Sequence, residues 1–222
     1  MPLILHIDTA STVASVSLAK DGIIISVAEN KLLNEHASFL QPSIKTMLLT
    51  AGFSMRDLDA VAVANGPGSY TGLRVGLASA KGLSYALNKP LITIGTLPLM
   101  AHAAAAAEKK EDILYAPMID ARRMEVFTAV YNAEGNEELA PVAKILDNDS
   151  YVAFLLRQKI LFFGSGADKW SKICTNVNAL FSTDYSIVQS FAELALKAYK
   201  LQQFAVLAYS EPLYLKEFYT GK

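Results

Sequence analysis

Residues 59–87 read DAVAVANGPGSYTGLRVGLASAKGLSYAL and contain a strand, a glycine-rich loop and a helix in succession. The segment Asp59–Asn65 is apolar at consecutive positions, which predicts a strand covered by helices on both faces. The loop Gly66–Gly72 follows this strand and opens a helix that extends to about Leu87, where Asn88–Pro90 stops it. A strand that enters a helix through a short loop is typical of the crossover connections of α/β proteins.

Five further elements surround this unit in the N-terminal half. A tight turn at Asp21–Gly22 joins two strand-like segments, and apolar residues at helical spacing follow them. The predicted elements are the strands Leu3–Asp8, Val13–Ala19, Ile23–Ala28 and Leu91–Ile94 and the helix from about Ser38 to Ala51. Their order, with three strands before the first helix, predicts a mixed sheet flanked by helices, as in a ribonuclease-H-like lobe.

The second half repeats this order less clearly. Its predicted elements are the strands Leu114–Asp120, Glu125–Tyr131 and Ile160–Phe163 and the helices Leu97–Glu108, about Ser150–Gln158 and Phe191–Gln202. We therefore predict an α/β protein of two lobes, residues 1–95 and a reduced lobe of residues 96–222, with the C-terminal helix free to pack back on the first lobe. Two ribonuclease-H-like lobes around a cleft form the architecture of actin-like ATPases, sugar kinases and heat-shock chaperones.

Composition limits the classes of function. The 222 residues are 52% hydrophobic and carry a net charge of −1, which excludes a disordered chain and a protein that grips nucleic acid or an anionic membrane alone. The first residues contain no basic and apolar leader, and no apolar run approaches the length of a membrane span. We expect a cytoplasmic protein without a membrane partner. Cys174, the single cysteine, is expected to be a small buried residue rather than a nucleophile.

Acids and glycines at strand ends indicate a candidate nucleotide site. Asp8 and Asp120 each close the first strand of a lobe, where carboxylates of two-lobed phosphotransferases hold a hydrated metal ion across the cleft. Asp also commonly caps strand turns, so a purely structural role is the alternative. The loop Gly66–Gly72 fits neither the P-loop nor the dinucleotide pattern. The candidate nucleotide-facing residues are Asp8, Thr9, Gly66, Gly68, Ser69, Asp120, Arg122, Gly164 and Gly166.

The helix after the glycine-rich loop has more apolar surface than one sheet requires. Small residues recur at a spacing of four, at Gly72, Gly76, Ala80 and Ser84. Beyond the face that would cover a sheet, the helix still presents Val75, Ala78, Ser79, Gly82 and Ala86. Because one apolar side suffices to cover a sheet, this excess favours a partner surface, and a helix wholly interior to a larger core is the alternative.

The sequence offers few residues for catalysis. The histidines His6, His36 and His102 have no metal-binding spacing, no Gly-x-Ser-x-Gly elbow occurs, and Cys174 has no histidine close to it in sequence. We therefore predict no catalytic residue and no metal site. His6 lies inside an apolar strand, so we expect a core residue whose polar atoms are hydrogen-bonded.

With these residues the chain resembles the TsaB (YeaZ) family of tRNA modification proteins over nearly its whole length. The matching segments are Ile4–Thr9, Leu40–Pro42 after His36, Gly66–Gly76, Ala80–Leu83 and, less distinctively, Asp120–Arg122, Gly164–Ala167 and Pro212–Lys216. The resemblance implies an actin-like fold without an active site of its own. The chain departs from the family pattern at several positions. Ala10 and Ala37 stand where serine is usual, Ser11 where threonine is usual, Tyr70 where phenylalanine is commoner and Lys216 where arginine is usual. The missing hydroxyl at Ala10 argues against an independent nucleotide site.

The resemblance also implies partners. TsaB-like chains are scaffolds for a catalytic paralogue, TsaD, which transfers a threonylcarbamoyl group to the adenosine beside the anticodon of tRNA, and an ATPase, TsaE, joins the assembly. No cofactor is then intrinsic, ATP or ADP with Mg²⁺ binds only in the assembled complex, and tRNA is contacted indirectly. The helices after His36 and Gly68 form the interface with TsaD and also a homodimer interface. The implied interface residues are His36, Leu40, Ile44, Met47, Thr71, Gly72, Val75, Gly76, Ser79, Ala80 and Leu83.

Two other functions compete with this one. An independent actin-like ATPase or small-molecule kinase is suggested by Asp8, Asp120 and the two glycine loops. A peptidase is suggested by older family names, but the chain has no nucleophile or metal constellation that supports one.

Overall fold

The computed structural model describes residues 1–11, 13–30, 36–183 and 185–216. Its elements are β1 (Leu3–Asp8), β2 (Ala14–Lys20), β3 (Ile23–Asn30), α1 (His36–Thr50), β4 (Ala60–Ala64), α2 (Tyr70–Leu87), β5 (Leu91–Ile94), α3 (Thr96–Glu108), β6 (Ile113–Asp120), β7 (Glu125–Tyr131), β8 (Glu137–Ile145), α4 (Val152–Leu155), β9 (Lys159–Phe163), α5 (Ala167–Ser171), β10 (Ala179–Phe181) and α6 (Val188–Lys200). A single 3₁₀ turn at Met55–Asp57 precedes β4.

The chain forms two compact units. Unit 1 comprises Met1–Thr96 with Ile187–Leu213, and unit 2 comprises Leu97–Ser186 with Tyr214–Lys222. The helix α6, near the C-terminal end of the sequence, therefore belongs to the first unit.

Each unit contains a five-stranded mixed sheet, and the two sheets have the same topology. The strand order is β3-β2-β1-β4-β5 in unit 1 and β8-β7-β6-β9-β10 in unit 2. In both sheets the first three strands pair antiparallel, and the last two join the central strand through parallel pairs. This repetition confirms the predicted fold class of two ribonuclease-H-like sheets flanked by helices.

Helices cover both faces of the sheet of unit 1. Leu5 and Ile7 of β1 join one buried cluster with Leu40 of α1 and Leu77 of α2, so these two helices lie on one face. On the other face the ring of Phe191 of α6 lies with its centroid 5.2 Å from that of His6. Burial on both faces explains why β1 and β4 are buried along their whole length.

The side chain of His6 is only partly satisfied in this core. It is fully buried, and its Nδ1 lies 3.3 Å from the carbonyl oxygen of Ser17. The Nε2 atom finds no hydrogen-bond partner among the described residues, so the expectation of a fully hydrogen-bonded histidine was wrong for this atom. Burial penalises the charged imidazole more than the Ser17 carbonyl favours it, and the pKa of His6 falls to about 4.

Acid should therefore destabilise unit 1 before most carboxylates titrate. In the unfolded state His6 binds a proton below its ordinary pKa of about 6.5, whereas in the folded state it stays neutral down to about pH 4. The contribution of neutral His6 to stability is therefore fully present above about pH 6.5 and is lost progressively as the pH falls to about 4. We expect the free energy of unfolding to fall by about 2 kcal/mol between about pH 7 and about pH 5. Urea unfolding of the wild type and of His6→Leu at a series of pH values measures this change. If the free energy of unfolding depended equally on pH in the two proteins, the assignment to His6 would be contradicted.

The core of unit 2 is aromatic. Phe162 of β9 contacts three rings, with centroid distances of 4.4 Å to Trp170, 5.0 Å to Tyr151 and 5.7 Å to Phe181. The indole N–H of Trp170 donates to the carbonyl of Asp147 at 3.3 Å. These rings fix α5 and β10 against the central strands of the second sheet.

Candidate functional site

The loop after β1 is closed against the first turn of α2. Thr9 is fully buried, and its Oγ1 donates a hydrogen bond to the carbonyl of Gly72 at 2.6 Å. The carbonyl of Ala10 accepts from the N–H of Ser69 at 2.7 Å, and the Asp8 carboxylate accepts from the N–H of Ala10 at 2.8 Å. Contact of Thr9 with a nucleotide stays a prediction.

The glycines of this region are required by that contact. A Cβ at Gly72 would lie 1.9 Å from the carbonyl oxygen of Thr9, and one at Gly68 would lie 2.3 Å from the carbonyl oxygen of Ala10. A Cβ at Gly76 would lie 2.3 Å from Oγ1 of Thr9. The close approach that the small-residue stripe permits is thus made by the β1 loop of the same chain.

The remaining residues of the glycine-rich loop have local roles. Ser69 is the N-cap of α2, and its Oγ accepts from the N–H of Gly72 at 3.3 Å. Gly66 has a φ of +114°, and a Cβ there would lie 2.7 Å from the carbonyl oxygen of Leu213. The loop is therefore enclosed on one side by β1 and on the other by the segment that follows α6.

The interface residues implied by the resemblance fall into two groups. Thr71 is exposed, and Val75, Ser79 and Leu83 are half-buried, whereas the other described members are buried in unit 1: Leu40, Ile44, Met47, Gly72, Gly76 and Ala80. In this conformation a partner reaches only the first group. The side chain of His36 lies outside what the structure describes. The interface itself stays a prediction.

The outer face of α1 and α2 is uncovered and weakly polar within the described part of unit 1. Along α2 the residues on this face are Thr71, Arg74, Val75, Ala78, Ser79, Gly82, Tyr85 and Ala86, and along α1 they include Lys45 and Leu49. Tyr85 and Leu49 are 81% and 75% exposed, and a Cβ added at Gly82 would meet no atom within 4 Å. These residues include the positions that the sequence left unassigned to the core. We call this surface the outer helical face.

A C-terminal segment, residues 205–213, borders this face. Lys81 of α2 donates from Nζ to the carbonyl oxygens of Ser210 at 3.0 Å and Ala208 at 3.5 Å. The N–H of Ala205 bonds to the carbonyl of Leu91 at 2.8 Å, and the N–H of Leu213 bonds to that of Asn65 at 2.7 Å. The segment therefore forms hydrogen bonds with β5, with α2 and with the residue that follows β4. No sequence pattern indicated this use of Lys81.

Asp120 of unit 2 is held by a cation from its own unit. Its Oδ1 accepts from Nζ of Lys169 at 2.8 Å and from the N–H of Arg122 at 2.6 Å. Desolvation raises the pKa of Asp120, but these two hydrogen bonds lower it more, and the pKa lies below its ordinary value. An ammonium group on this oxygen suits a metal ligand poorly. Lys169 could not be linked to Asp120 from the sequence, because the two residues lie far apart along the chain and Lys169 is on the short helix α5.

The second glycine-rich loop, Gly164–Gly166, hydrogen-bonds to the end of β6, the strand that bears Asp120. The N–H of Gly166 donates to the carbonyl of Met118 at 2.9 Å, and the N–H of Asp120 donates to Oγ of Ser165 at 3.1 Å. A Cβ at Gly164 would lie 2.4 Å from the Met118 carbonyl oxygen. Nucleotide contact by Gly164, Gly166 or Arg122 therefore stays a prediction, beside a structural role that the geometry supplies.

Within residues 1–11, 13–30, 36–183 and 185–216, no three His, Cys, Asp or Glu side chains are grouped so that they could hold a metal ion. Over the same ranges, none of the helices combines the length and the apolar character needed to cross a membrane.

Comparison with known proteins gives relatives over most of the chain. The sequence model of the family described as TsaD, tRNA N6-adenosine threonylcarbamoyltransferase, matches residues 25–219. The TsaB protein of Buchnera aphidicola subsp. Schizaphis graminum is 34% identical over 77% of this chain and 80% of its own length. The Escherichia coli TsaB protein is 38% identical over 60% of this chain and 56% of its own length.

A solved structure agrees in fold. The crystal structure of an uncharacterized protein from Pseudomonas aeruginosa with similarity to peptidase YeaZ superposes with a TM-score of 0.82 at 25% identity, over 97% of this chain and 100% of that one. The repeated sheets, the family match and these relatives agree with one another. The chain therefore belongs to the TsaD-related family and, within it, to the TsaB (YeaZ) proteins with an actin-like fold.

Proposed function

We propose that this chain acts in tRNA threonylcarbamoyladenosine biosynthesis as a non-catalytic subunit that pairs with a TsaD-like paralogue. The observation that carries the proposal is the outer helical face, where small and apolar side chains of two adjacent helices are left uncovered. Contiguous surfaces of this kind commonly mark interfaces between proteins. Small residues such as Ala78 and Gly82 let a second helix approach α2 closely.

The proposal includes that this chain catalyses no reaction by itself. The two strand ends that bear the candidate acids are occupied by groups of the same chain: Thr9 is bonded to Gly72, and Asp120 is paired with Lys169. These contacts within each unit support the proposal, because they give Thr9 and Asp120 structural roles. ATP or ADP with Mg²⁺ would then bind only in the assembled complex, and a TsaE-like ATPase and tRNA would contact this chain through that complex.

Pairing is tested by a charge placed on the outer helical face. We expect Ala78→Glu to abolish co-purification with the TsaD-like protein of the same organism, because a carboxylate buried against apolar side chains would have to be desolvated. Ala107→Glu is the matched control, since Ala107 is also an exposed alanine of a helix, α3 in unit 2. Both variants should keep the wild-type circular dichroism. A complex that survives Ala78→Glu unchanged would refute the assignment of this face.

An independent ATPase or kinase is the alternative function. The same residues, Asp8 and Asp120, would then have to hold Mg²⁺ and phosphate in the isolated chain. Calorimetry of the isolated protein with ATP and Mg²⁺ separates the two functions. We expect no heat of binding for the isolated chain, and a saturable heat that disappears in Asp8→Asn would favour the alternative.

A further inference from the structure

The helix α6 packs on unit 1 with little apolar surface. Five residues of α6 are buried, and four of them are alanine or serine: Ser190, Phe191, Ala192, Ala195 and Ala198. On the opposite face of the same sheet, α1 buries four large side chains, those of Leu40, Ile44, Met47 and Leu48. Because the free energy of burial grows with the apolar area removed from water, we expect α6 to be bound more weakly than α1.

The sheet surface beneath α6 is built mainly from small side chains. Paired positions of neighbouring strands point to the same face, so the pairing register identifies the residues that share a face with His6. The residues of β2 and β4 that pair with this face of β1 are Ser15, Ser17, Ala19, Ala60 and Ala62. Ile4 and His6 are larger side chains that β1 adds to it. Small side chains interdigitate little, so this face offers α6 few of the contacts that hold packed elements together.

His6 weakens the contact with α6. Phe191 is the one large residue among the five that α6 buries, and the centroid of its ring lies 5.2 Å from that of the imidazole. The Nε2 atom of His6 has no hydrogen-bond partner among the described residues. A buried polar atom without a partner costs free energy, and this cost disappears when water reaches the atom. Separation of Phe191 from His6 therefore costs less than separation of two apolar side chains.

The chain on either side of residues 187–213 is fastened within unit 2. Before this segment, the hydroxyl of Tyr185 donates to a carboxylate oxygen of Glu108 at 2.7 Å. After it, the ammonium group of Lys216 pairs with the carboxylate of Glu125. Both ends would therefore stay in place while the middle leaves unit 1. Since a helix of 13 residues is marginal in water by itself, α6 would lose its helical structure in the open state.

We propose that residues 187–213, the cover segment, open as one unit from a unit 1 that otherwise stays folded, and so uncover one side of the glycine-rich loop. The segment ends against that loop. The N–H of Leu213 donates to the carbonyl of Asn65 at 2.7 Å, and a Cβ at Gly66 would lie 2.7 Å from the carbonyl oxygen of Leu213. In the closed state the cover segment thus occupies the side of the loop opposite to β1. This inference does not depend on the proposed function.

Native-state hydrogen exchange of the full chain, followed by NMR at low urea concentrations, tests the opening. We expect the amides of α6 and the N–H groups of Ala205 and Leu213 to exchange through one common opening, with protection factors about a hundredfold or more below those of β1 and β4. Their exchange should also depend less on urea, because opening exposes less surface than unfolding. Equal protection and equal urea dependence of α6 and β4 would overturn the inference.

The variant Ile44→Val separates opening of the cover segment from unfolding of unit 1. It removes one carbon atom from the core between α1 and the sheet, a contact that is present both before and after opening. We expect the amides of β1 and β4 to exchange about threefold to tenfold faster, and the amides of α6 to keep their wild-type rate. Equal acceleration in α6 would show that this helix leaves only when unit 1 unfolds, which contradicts the proposal.

The variant Lys81→Met tests whether the cover segment opens as one unit. Nζ of Lys81 donates to the carbonyls of Ala208 and Ser210, so the variant weakens contacts of the C-terminal part of the segment alone. We expect the exchange of Leu213 and of α6 to accelerate by the same factor, about threefold to tenfold. Lys172→Met makes the same change at an exposed position of unit 2 and should alter neither rate. Acceleration confined to Leu213, or none at all, would overturn the single opening.

The variant His6→Leu should hold the cover segment more firmly. Leucine places an apolar side chain against Phe191 and removes the unpartnered Nε2, so we expect the amides of α6 to exchange about tenfold more slowly. The matched control is His102→Leu, the same substitution in unit 2, which should leave the exchange of α6 unchanged. Unchanged or faster exchange of α6 in His6→Leu would overturn the role of His6 in the opening.

Discussion

Gly72→Ala is expected to destabilise unit 1 by about 3 kcal/mol or more. The added Cβ would lie 1.9 Å from the carbonyl oxygen of Thr9, and neither atom can move without displacing backbone. Relief requires α2 to shift away from β1, which breaks the bond from Oγ1 of Thr9 and opens the core between Leu77 and Ile7. Urea unfolding followed by circular dichroism measures the loss as a lower midpoint.

The same substitution ten residues later provides the control. Gly82 is also an internal glycine of α2, but a Cβ there meets nothing within 4 Å. We expect Gly82→Ala to raise stability by about 0.5–1 kcal/mol, because alanine loses less backbone entropy in a helix than glycine does. Equal effects at the two positions would mean that helix propensity, rather than the contact with Thr9, governs Gly72.

Phe162→Ala should have the largest effect in unit 2, about 3–5 kcal/mol. Its buried ring contacts Tyr151, Trp170 and Phe181, so its removal leaves a cavity bordered by these three rings. Trp170 is the single tryptophan of the chain, which makes its fluorescence a reporter of this unit. We expect a lower unfolding midpoint and a red-shifted emission as water reaches the indole.

Two further variants keep this test informative. Phe162→Leu fills most of the cavity and should cost less than about 1.5 kcal/mol, so it remains measurable if the alanine variant does not fold. Phe204→Ala removes an exposed ring, whose centroid lies 5.8 Å from that of Tyr199, and should change stability by about 0.5 kcal/mol. Equal losses for Phe162→Ala and Phe204→Ala would contradict the packing argument.

Strands and helices of unit 1 could be predicted because their periodicity is strong. β1 was predicted with its observed ends, and α2 differs only in its first turn. The start of α1 was predicted at about Ser38, two residues after its observed start at His36, and Pro42 lies inside the helix. Local signals of this kind decide elements that are built from neighbouring residues.

Other features depended on contacts between distant residues and could not be predicted. β8 was not predicted, because Pro141 and charged residues interrupt the alternation of apolar and polar residues in this segment. An edge strand such as β8 tolerates a proline. The stripe from Gly72 to Ser84 indicated close approach correctly, but no local pattern says whether the approaching backbone belongs to the same chain. The pairing of Asp120 with Lys169 is of the same kind, because 49 residues separate them.

Residues 187–213 belong to unit 1, and this has a consequence for how the protein folds during translation. The face of the first sheet that bears His6 is covered by Phe191, and the N–H of Leu213 is the group that bonds the carbonyl of Asn65. On the ribosome these residues emerge after all of Leu97–Ser186. Although domains usually fold one after another during translation, this face of the first sheet can be covered only after residues 187–213 have been made, so it stays uncovered while Leu97–Ser186 is being synthesised.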